Sequence, residues 1–227
     1  MSLYEAVVFL GKNRIWLWNE NKLLRFAAPK GVINADAKKL LTRYRDYLAT
    51  AVDKQTPARC LVAPCSKNQN SLWFVQQLVP ESPAYNVAVS FQMKNKFNPD
   101  VFTGCCSYCI SLNPVLRTTF HHIHVPETNE NILCQVVRDT IPVPVTFKNI
   151  GSNDDSEYKN LLLSEYSKPF DLECGPLFRC VVWEITNGSS LVLMIFHHTV
   201  IDAWSIKLLL QQFFRRYRDM IAEPVKE

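Results

Sequence analysis

No apolar run in this sequence approaches the ~18 residues that a membrane-spanning helix requires, so no membrane partner is expected. The short apolar stretch from Ala6 to Leu10 has no basic segment before it and no small-residue cleavage site after it, which argues against an export signal. A second Cys-x-x-C is also missing. Cysteines fall at 60, 65, 105, 106, 109, 134, 174 and 180, and Cys106 with Cys109 makes a single such pair. A zinc site needs a further pair at suitable spacing, so no metal is expected. Without an export signal the thiols are read as free, in a reducing cytoplasm. The sequence also carries no internal repeat and no low-complexity tract, which leaves an ordinary globular chain.

What is present fits that class. Hydrophobic residues make up 48% and charged residues 20% of 227 positions, a usual globular balance and enough length for one or two domains. The net charge of +4 is unevenly placed. Residues 1–50 hold nine Lys or Arg against four Asp or Glu, a net of +5, which leaves the remainder near −1. A basic head on a near-neutral body points to an acidic partner for the head. The charge is too modest, and a recognised motif too plainly missing, for nucleic-acid binding.

The head reads as helix, hairpin, helix. Ser2 and Glu5 fit a capping box, Leu3, Val7 and Leu10 follow at helical spacing, and Gly11 is a natural stop. Arg14 to Trp18 and Lys22 to Phe26 are β-prone runs across an Asn-containing turn, a hairpin pattern. From Asn34, a fitting N-cap, Leu40, Leu41, Tyr44, Tyr47 and Leu48 mark one helical face. Residues 52–64, with Pro57 and Pro64, show no periodicity and read as a linker.

Beyond it the pattern becomes α/β. Helices are expected over 66–78, 99–110, 155–168 and 204–221. Strands are expected over 86–93, 117–125, 132–138, 177–185 and 191–196, the last two flanking Asn187-Gly188-Ser189, a strong hairpin signal. The fold class is α+β. The domains expected are 1–51, a linker at 52–64, and a lobe at 65–227.

The most informative stretch is Phe196-His197-His198-Thr199-Val200-Ile201-Asp202-Ala203-Trp204-Ser205. It falls where a buried strand ends and a helix begins, a junction that holds side chains rigidly while leaving them accessible. An imidazole there can accept a proton near neutral pH. The plainer alternative is that two histidines and an aspartate only close a turn. A metal reading fails because adjacent strand residues point to opposite faces and no third ligand is evident. His122 and His124 share one face of another strand and read as its polar, exposed side.

Taken with three further segments, this stretch resembles the condensation domains of nonribosomal peptide synthetases. His197-His198-x-x-x-Asp202 looks like their HHxxxD signature. Ser66 to Trp73 is similar to their opening S-x-A-Q-x-R-L-W motif, and Leu116-Arg117-Thr118-Thr119-Phe120 to their L-R-T-x-F. Pro169-Phe170-Asp171-Leu172 with Gly175-Pro176-Leu177 and Arg179 resembles P-F-D-L…G-P-L-x-R, and Ser82 to Asn86 also matches. The resemblance covers about residues 62–222. Departures stand at Ser71 (usually Arg), at Leu112-Asn113-Pro114 (usually R-H-E) and at Ala203 (usually Gly). If the last position needs positive φ, alanine costs on the order of 1 kcal/mol.

The resemblance implies a lobe like chloramphenicol acetyltransferase, an α/β sandwich, and a reaction between two carrier-bound thioesters. The substrates would ride on phosphopantetheine arms of carrier domains, with no cofactor held by the chain. His198 would sit beside the attacking amine, His197 would be mainly structural, and Asp202 would shape the loop with Arg117 as its partner. The family's domain has two lobes, so the first lobe is expected here, inactive alone. Heterocyclising relatives replace the histidines, and epimerising relatives usually follow a carrier domain, so neither subtype is expected.

Residues 1–50 resemble the β-hairpin docking domains at the N-termini of some synthetase subunits, through the hairpin Arg14–Phe26 and Ala28-Pro29-Lys30-Gly31. Such domains bind the acidic C-terminal tail of an upstream subunit. A hairpin edge can accept an added strand. Arg14, Lys22, Arg25 and Lys30 would complement the acidic charge, and Trp16 or Trp18 would serve as an apolar anchor. Two other functions stay open: a docking module with no chemistry of its own, and a fragment of a coenzyme-A-dependent acyltransferase.

Overall fold

Ser2 Oγ accepts the Glu5 N–H at 3.2 Å while Glu5 Oε2 accepts the Ser2 N–H at 2.7 Å, and this reciprocal cap starts helix α1, Leu3–Lys12. The computed structural model describes residues 2–21, 23–52, 58–94, 97–150, 155–185 and 189–222. These form two units, one made of 1–77, 117–141 and 171–175, the other of 78–116, 142–170 and 176–227.

In the first unit α1 does not stop at Gly11. It runs to Lys12 with Asn13 as its cap, and the chain turns at Arg14, which takes the left-handed conformation at φ 50°. The Arg14 N–H reaches Gly11 O at 3.2 Å and the Ile15 N–H reaches Leu10 O at 3.0 Å, the paired bonds of a Schellman ending. Leu10 and Ile15 are fully buried beside it. Gly11 serves another need: a Cβ there would stand 2.8 Å from Ala63 Cβ. Glycine lets the helix lie against the segment 60–64.

The hairpin forms as expected, β1 (Trp16–Glu20) against β2 (Leu23–Ala27), with Asn21 at φ 52° in the turn. The expected second helix is two, α2 (Ala35–Arg43) and α3 (Arg45–Val52), capped at Asn34. Tyr44 separates them, yet its N–H still bonds Leu40 O and its carbonyl accepts from Leu48. The axis changes while the apolar face continues.

The largest correction falls on the expected linker. Within it, β3 (Cys60–Pro64) is a strand, pairing with β1 on one side and with β6 (Glu130–Arg138) on the other. With β5 (Thr118–Val125) the sheet order is β2-β1-β3-β6-β5. The hairpin is therefore one side of a five-stranded antiparallel sheet. Leu3, Leu10, Leu17, Leu48, Cys60, Val62, Ile123 and Val136 share one apolar core. The boundaries 1–51, 52–64 and 65–227 do not separate independent cores, because strand pairing crosses them. Proline and a lack of alternation in a short, doubly flanked strand gave no local signal. Helix α4 (Lys67–Leu78) completes the unit, begun by a second reciprocal cap between Ser66 and Gln69.

The second unit is a four-stranded mixed sheet, order β4-β9-β8-β7. Its strands are β4 (Asn86–Met93), β7 (Val145–Ile150), β8 (Phe178–Ile185) and β9 (Ser190–His197). The sequence pattern assigns no element to Val145–Ile150. It becomes a strand by parallel pairing with β8, a non-local choice bridged by helix α6 (Asp155–Tyr166). Helices α5 (Pro99–Leu112) and α7 (Ala203–Ala222) pack together, with Phe102 against Phe213 at 5.0 Å. Asn187 and Gly188 of the expected turn lie outside the described residues, but β8 and β9 pair antiparallel up to Glu184 and Ser190.

Candidate functional site

The first motif histidine, His197, ends β9, the strand between β4 and β8, every residue of which is buried, and His198 follows it. Asn86 stands opposite His197 in the register. Where the strand ends, the His197 N–H donates to Leu177 O at 3.0 Å, the His198 N–H to Tyr85 O at 2.8 Å, and the Val200 N–H to His197 O at 3.1 Å. These bonds turn the chain so that its side chains sort by depth. His197, Thr199, Val200 and Ile201 are buried. His198 and Asp202 are exposed. The three residues between His198 and Asp202 are what the interior takes up.

His197 is 1% exposed. Its Nδ1 accepts the Thr199 N–H at 3.2 Å and lies 2.9 Å from Thr199 Oγ1. An acceptor Nδ1 leaves the ring proton on Nε2. Burial, with a lesser push from neighbouring His198, lowers its pKa to about 4. The ring is thus neutral and held by these bonds.

Asp202 caps α7. Its Oδ1 accepts the Ser205 N–H at 2.7 Å, and Ser205 holds the carboxyl below its usual range. Arg117, expected as the partner of Asp202, lies in the first unit, where its guanidinium donates to the carbonyls of Arg138 and Asp139. Ala203 is the first helical residue, and positive φ among described non-glycine residues is confined to Arg14, Asn21 and Asn129. The conformational cost considered for this alanine does not arise.

An open groove of about 700 Å³ begins at Ala203 and follows α7, with Ile206, Leu210 and Phe214 as apolar lining and Lys207, Arg215 and Arg218 as cations. Sequence reasoning missed these three basic residues, whose shared helical flank at 207, 215 and 218 was the available signal.

Of the head residues, Arg14, Arg25 and Lys30 are exposed, and Arg25 forms an ion pair with Glu20 at 3.1 Å. Lys22 lies outside the described residues. Trp16 and Trp18 are half-buried, on the face opposite the buried Leu17, and Arg59 stacks over Trp18 at 5.1 Å. His122 and His124 are exposed as expected, with Trp73 stacked on His122 at 5.4 Å. Cys106 and Cys109 are buried in α5. A hydrogen bond with Cys180 and burial push Cys106 upward, and burial pushes Cys109 to about 12, so both are held as thiols. Among the described residues no group of three or more His, Cys, Asp or Glu can hold a metal, and no helix is long and apolar enough to cross a membrane.

The Condensation domain family matches residues 61–224. The chain belongs to that family. It is similar to phosphinothricin tripeptide synthetase PhsC of Streptomyces viridochromogenes, 31% identical over 150 residues, 64% of this chain and 13% of that protein. It is also similar to bacitracin synthase 2 of Bacillus licheniformis, 22% identical over 224 residues, 94% of this chain and 8% of that one. The fold matches the starter condensation domain of rhizomide synthetase RzmA with TM-score 0.63 at 22% identity, covering 70% of this chain and 39% of that chain. It matches the four-domain synthetase holo-AB3403 with TM-score 0.64 at 24% identity, covering 72% and 12%. The chain thus spans a small part of its curated relatives. Its mixed α/β fold is that of condensation domains.

Proposed function

We propose that this chain contributes the HHxxxD histidine for amide-bond formation between carrier-bound thioesters in nonribosomal peptide synthesis, an acyltransferase-like reaction carried out in the cytoplasm. The observation that carries the reading is the end of β9: a buried, neutral His197 beside an exposed His198, within the segment that the family matches. The acceptor amine attacks the donor's thioester carbonyl. An α-amino group has an ordinary pKa of about 8, so a usable fraction is already neutral. His198 orients that amine, takes a proton from nitrogen in the tetrahedral intermediate, and returns it to the departing thiolate as the C–S bond breaks. The cations along α7 have the charge to receive the phosphate of a phosphopantetheine arm.

The test is His198→Ala in the synthetase that carries this chain, with loaded donor and acceptor carriers. Amide formation is expected to fall by about 10²–10⁴; wild-type turnover would sink the reading. With His198 open to solvent, the 227-residue chain assayed alone is expected to form no amide. A second donor class has some support, since a mutant of the RzmA starter domain was crystallised with C8-CoA. Equal rates from a coenzyme-A thioester and a carrier-bound one would favour it.

For the head, we infer that the acidic C-terminal tail of an upstream subunit docks at β2. That strand ends the sheet, so its outer edge can accept an added strand. Arg14, Lys22, Arg25 and Lys30 supply complementary charge, and Trp16 or Trp18 an apolar anchor. Calorimetry with acidic tail peptides should give saturable binding weakened by salt and lost on reversing Lys22 and Arg25. A tail that binds nowhere leaves the head as structure alone.

A further inference from the structure

The P-F-D-L and G-P-L-x-R residues have no part in the chemistry just described, yet Phe170 reaches the motif and Arg179 lies on Phe170. Arg179 lies at the start of β8 with its guanidinium carbon 4.0 Å over the centre of the Phe170 ring. Nη1 donates to Pro169 O at 3.2 Å. Nη2 donates to Glu165 O at 3.0 Å and also to Lys168 O. One planar fork thus gathers the carbonyls at the end of α6, where a helix leaves acceptors unsatisfied. Asn86 holds the same segment from β4, donating from Nδ2 to Tyr166 O at 2.6 Å and Lys168 O at 2.9 Å, while the Tyr166 hydroxyl donates to Asn86 O at 3.0 Å.

Held in this way, Phe170 is 7% exposed and stands edge-on to the His197 ring, with centroids 6.2 Å apart and planes at 79°. Tyr85 meets His197 at 6.2 Å and 60°. The ring between them is the one whose Nδ1 takes the Thr199 N–H, and that bond closes the turn from which His198 emerges. Aromatic edges packed in this way restrict a ring's orientation.

We propose that Arg179 and Phe170 are positioning residues for the histidine motif: Arg179 fixes the Phe170 ring, Phe170 fixes His197 in its Nε2–H form, and His197 sets the direction of His198. This rests on the reading of His198 as the working group.

The test uses the whole chain, labelled with ¹⁵N, and long-range imidazole spectra at neutral pH. Wild type should show the Nε2–H pattern for His197. Phe170→Leu keeps an apolar side chain but removes the ring. Arg179→Lys keeps the charge but loses the three-carbonyl fork. Both should move the His197 nitrogens toward averaged tautomers and shift the His198 ring signals, with unchanged circular dichroism. Phe170→Tyr should restore the wild-type pattern. In the synthetase, Phe170→Leu and Arg179→Lys should lower kcat about tenfold with KM for the acceptor within twofold. If Phe170→Leu does not fold, Arg179→Lys decides. Folded variants whose two histidine rings give wild-type signals would overturn the proposal. His198→Ala with full activity would overturn only the reading beneath it, because the spectra stand independently of turnover.

Discussion

Glu130 Oε1 accepts the backbone N–H of Leu3 at 3.0 Å, across 127 positions of sequence. Its other oxygen takes Tyr44 Oη at 3.1 Å and Thr128 Oγ1 at 2.9 Å. One carboxylate ties the first helix and the α2–α3 bend to the β5–β6 turn. Leu3 supplies the largest part of the downward shift of its pKa. A lowered carboxyl stabilises the fold above its unfolded value, and that contribution is lost as pH falls through the lower folded value. Glu130→Gln should lower Tm by about 2–4 °C at pH 7. The difference from wild type should vanish below the ordinary carboxylate range. Thermal unfolding at neutral and acid pH checks both.

Gly11→Ala should destabilise despite the better helix former. The added Cβ meets Ala63 Cβ at 2.8 Å and, at 3.2 Å, both Ala63 Cα and Val62 O. Two of these atoms are backbone in a paired strand. Overpacking of this kind costs about 1–3 kcal/mol, against roughly 1 kcal/mol gained in propensity. Urea unfolding should show a net loss, with Ala63→Gly recovering part of it in the double variant.

His197 gives the fold a second pH dependence, of opposite origin. Its folded pKa is about 4 against 6.5 for an ordinary imidazole. The unfolded chain binds this proton first on acidification, so stability falls as pH drops from about 6.5 to about 4. The contribution over that window is on the order of 2–3 kcal/mol. His197→Gln should be less stable at pH 7, yet its urea midpoint should change less between pH 7 and 4.5. Parallel pH profiles for the two chains would contradict a buried neutral ring.

Ala203→Gly, which restores the family's usual residue, should bring no gain in activity. Ala203 already adopts helical backbone as the first residue of α7. Glycine there removes no strain and adds unfolded-state freedom, a cost of up to about 1 kcal/mol. Thermal unfolding and turnover of the synthetase carrying the change would show it.

The site was legible for a physical reason. His197, His198 and Asp202 lie within six consecutive residues, so their order and the strand-to-helix junction around them are local properties. The capping box at Ser2 and Glu5, the alternation of Val87, Val89, Phe91 and Met93, and the histidine faces of β5 are local in the same way. The helix break at Tyr44 was not, because hydrogen bonding and the apolar face both run through it. Gly11 was misread as a stop because the reason for glycine lies 52 residues away, at Ala63. The carbonyls that Arg117 takes were not legible either, because only the β5–β6 register brings those of Arg138 and Asp139 beside it.

The amino-acid order by itself determined the helical and most strand segments, the condensation-domain family, and a histidine pair at the end of a buried strand, all of which depend on spacing over a few residues. Tertiary structure alone decided that Cys60–Pro64 is a strand that binds the basic hairpin into the same sheet as β6 and β5, and that Val145–Ile150 pairs with β8. It also decided that Phe170 meets His197 with Arg179 stacked on the Phe170 ring. Strand pairing and side-chain stacking join residues far apart in the chain, and their free energy is set by partners that no local window contains.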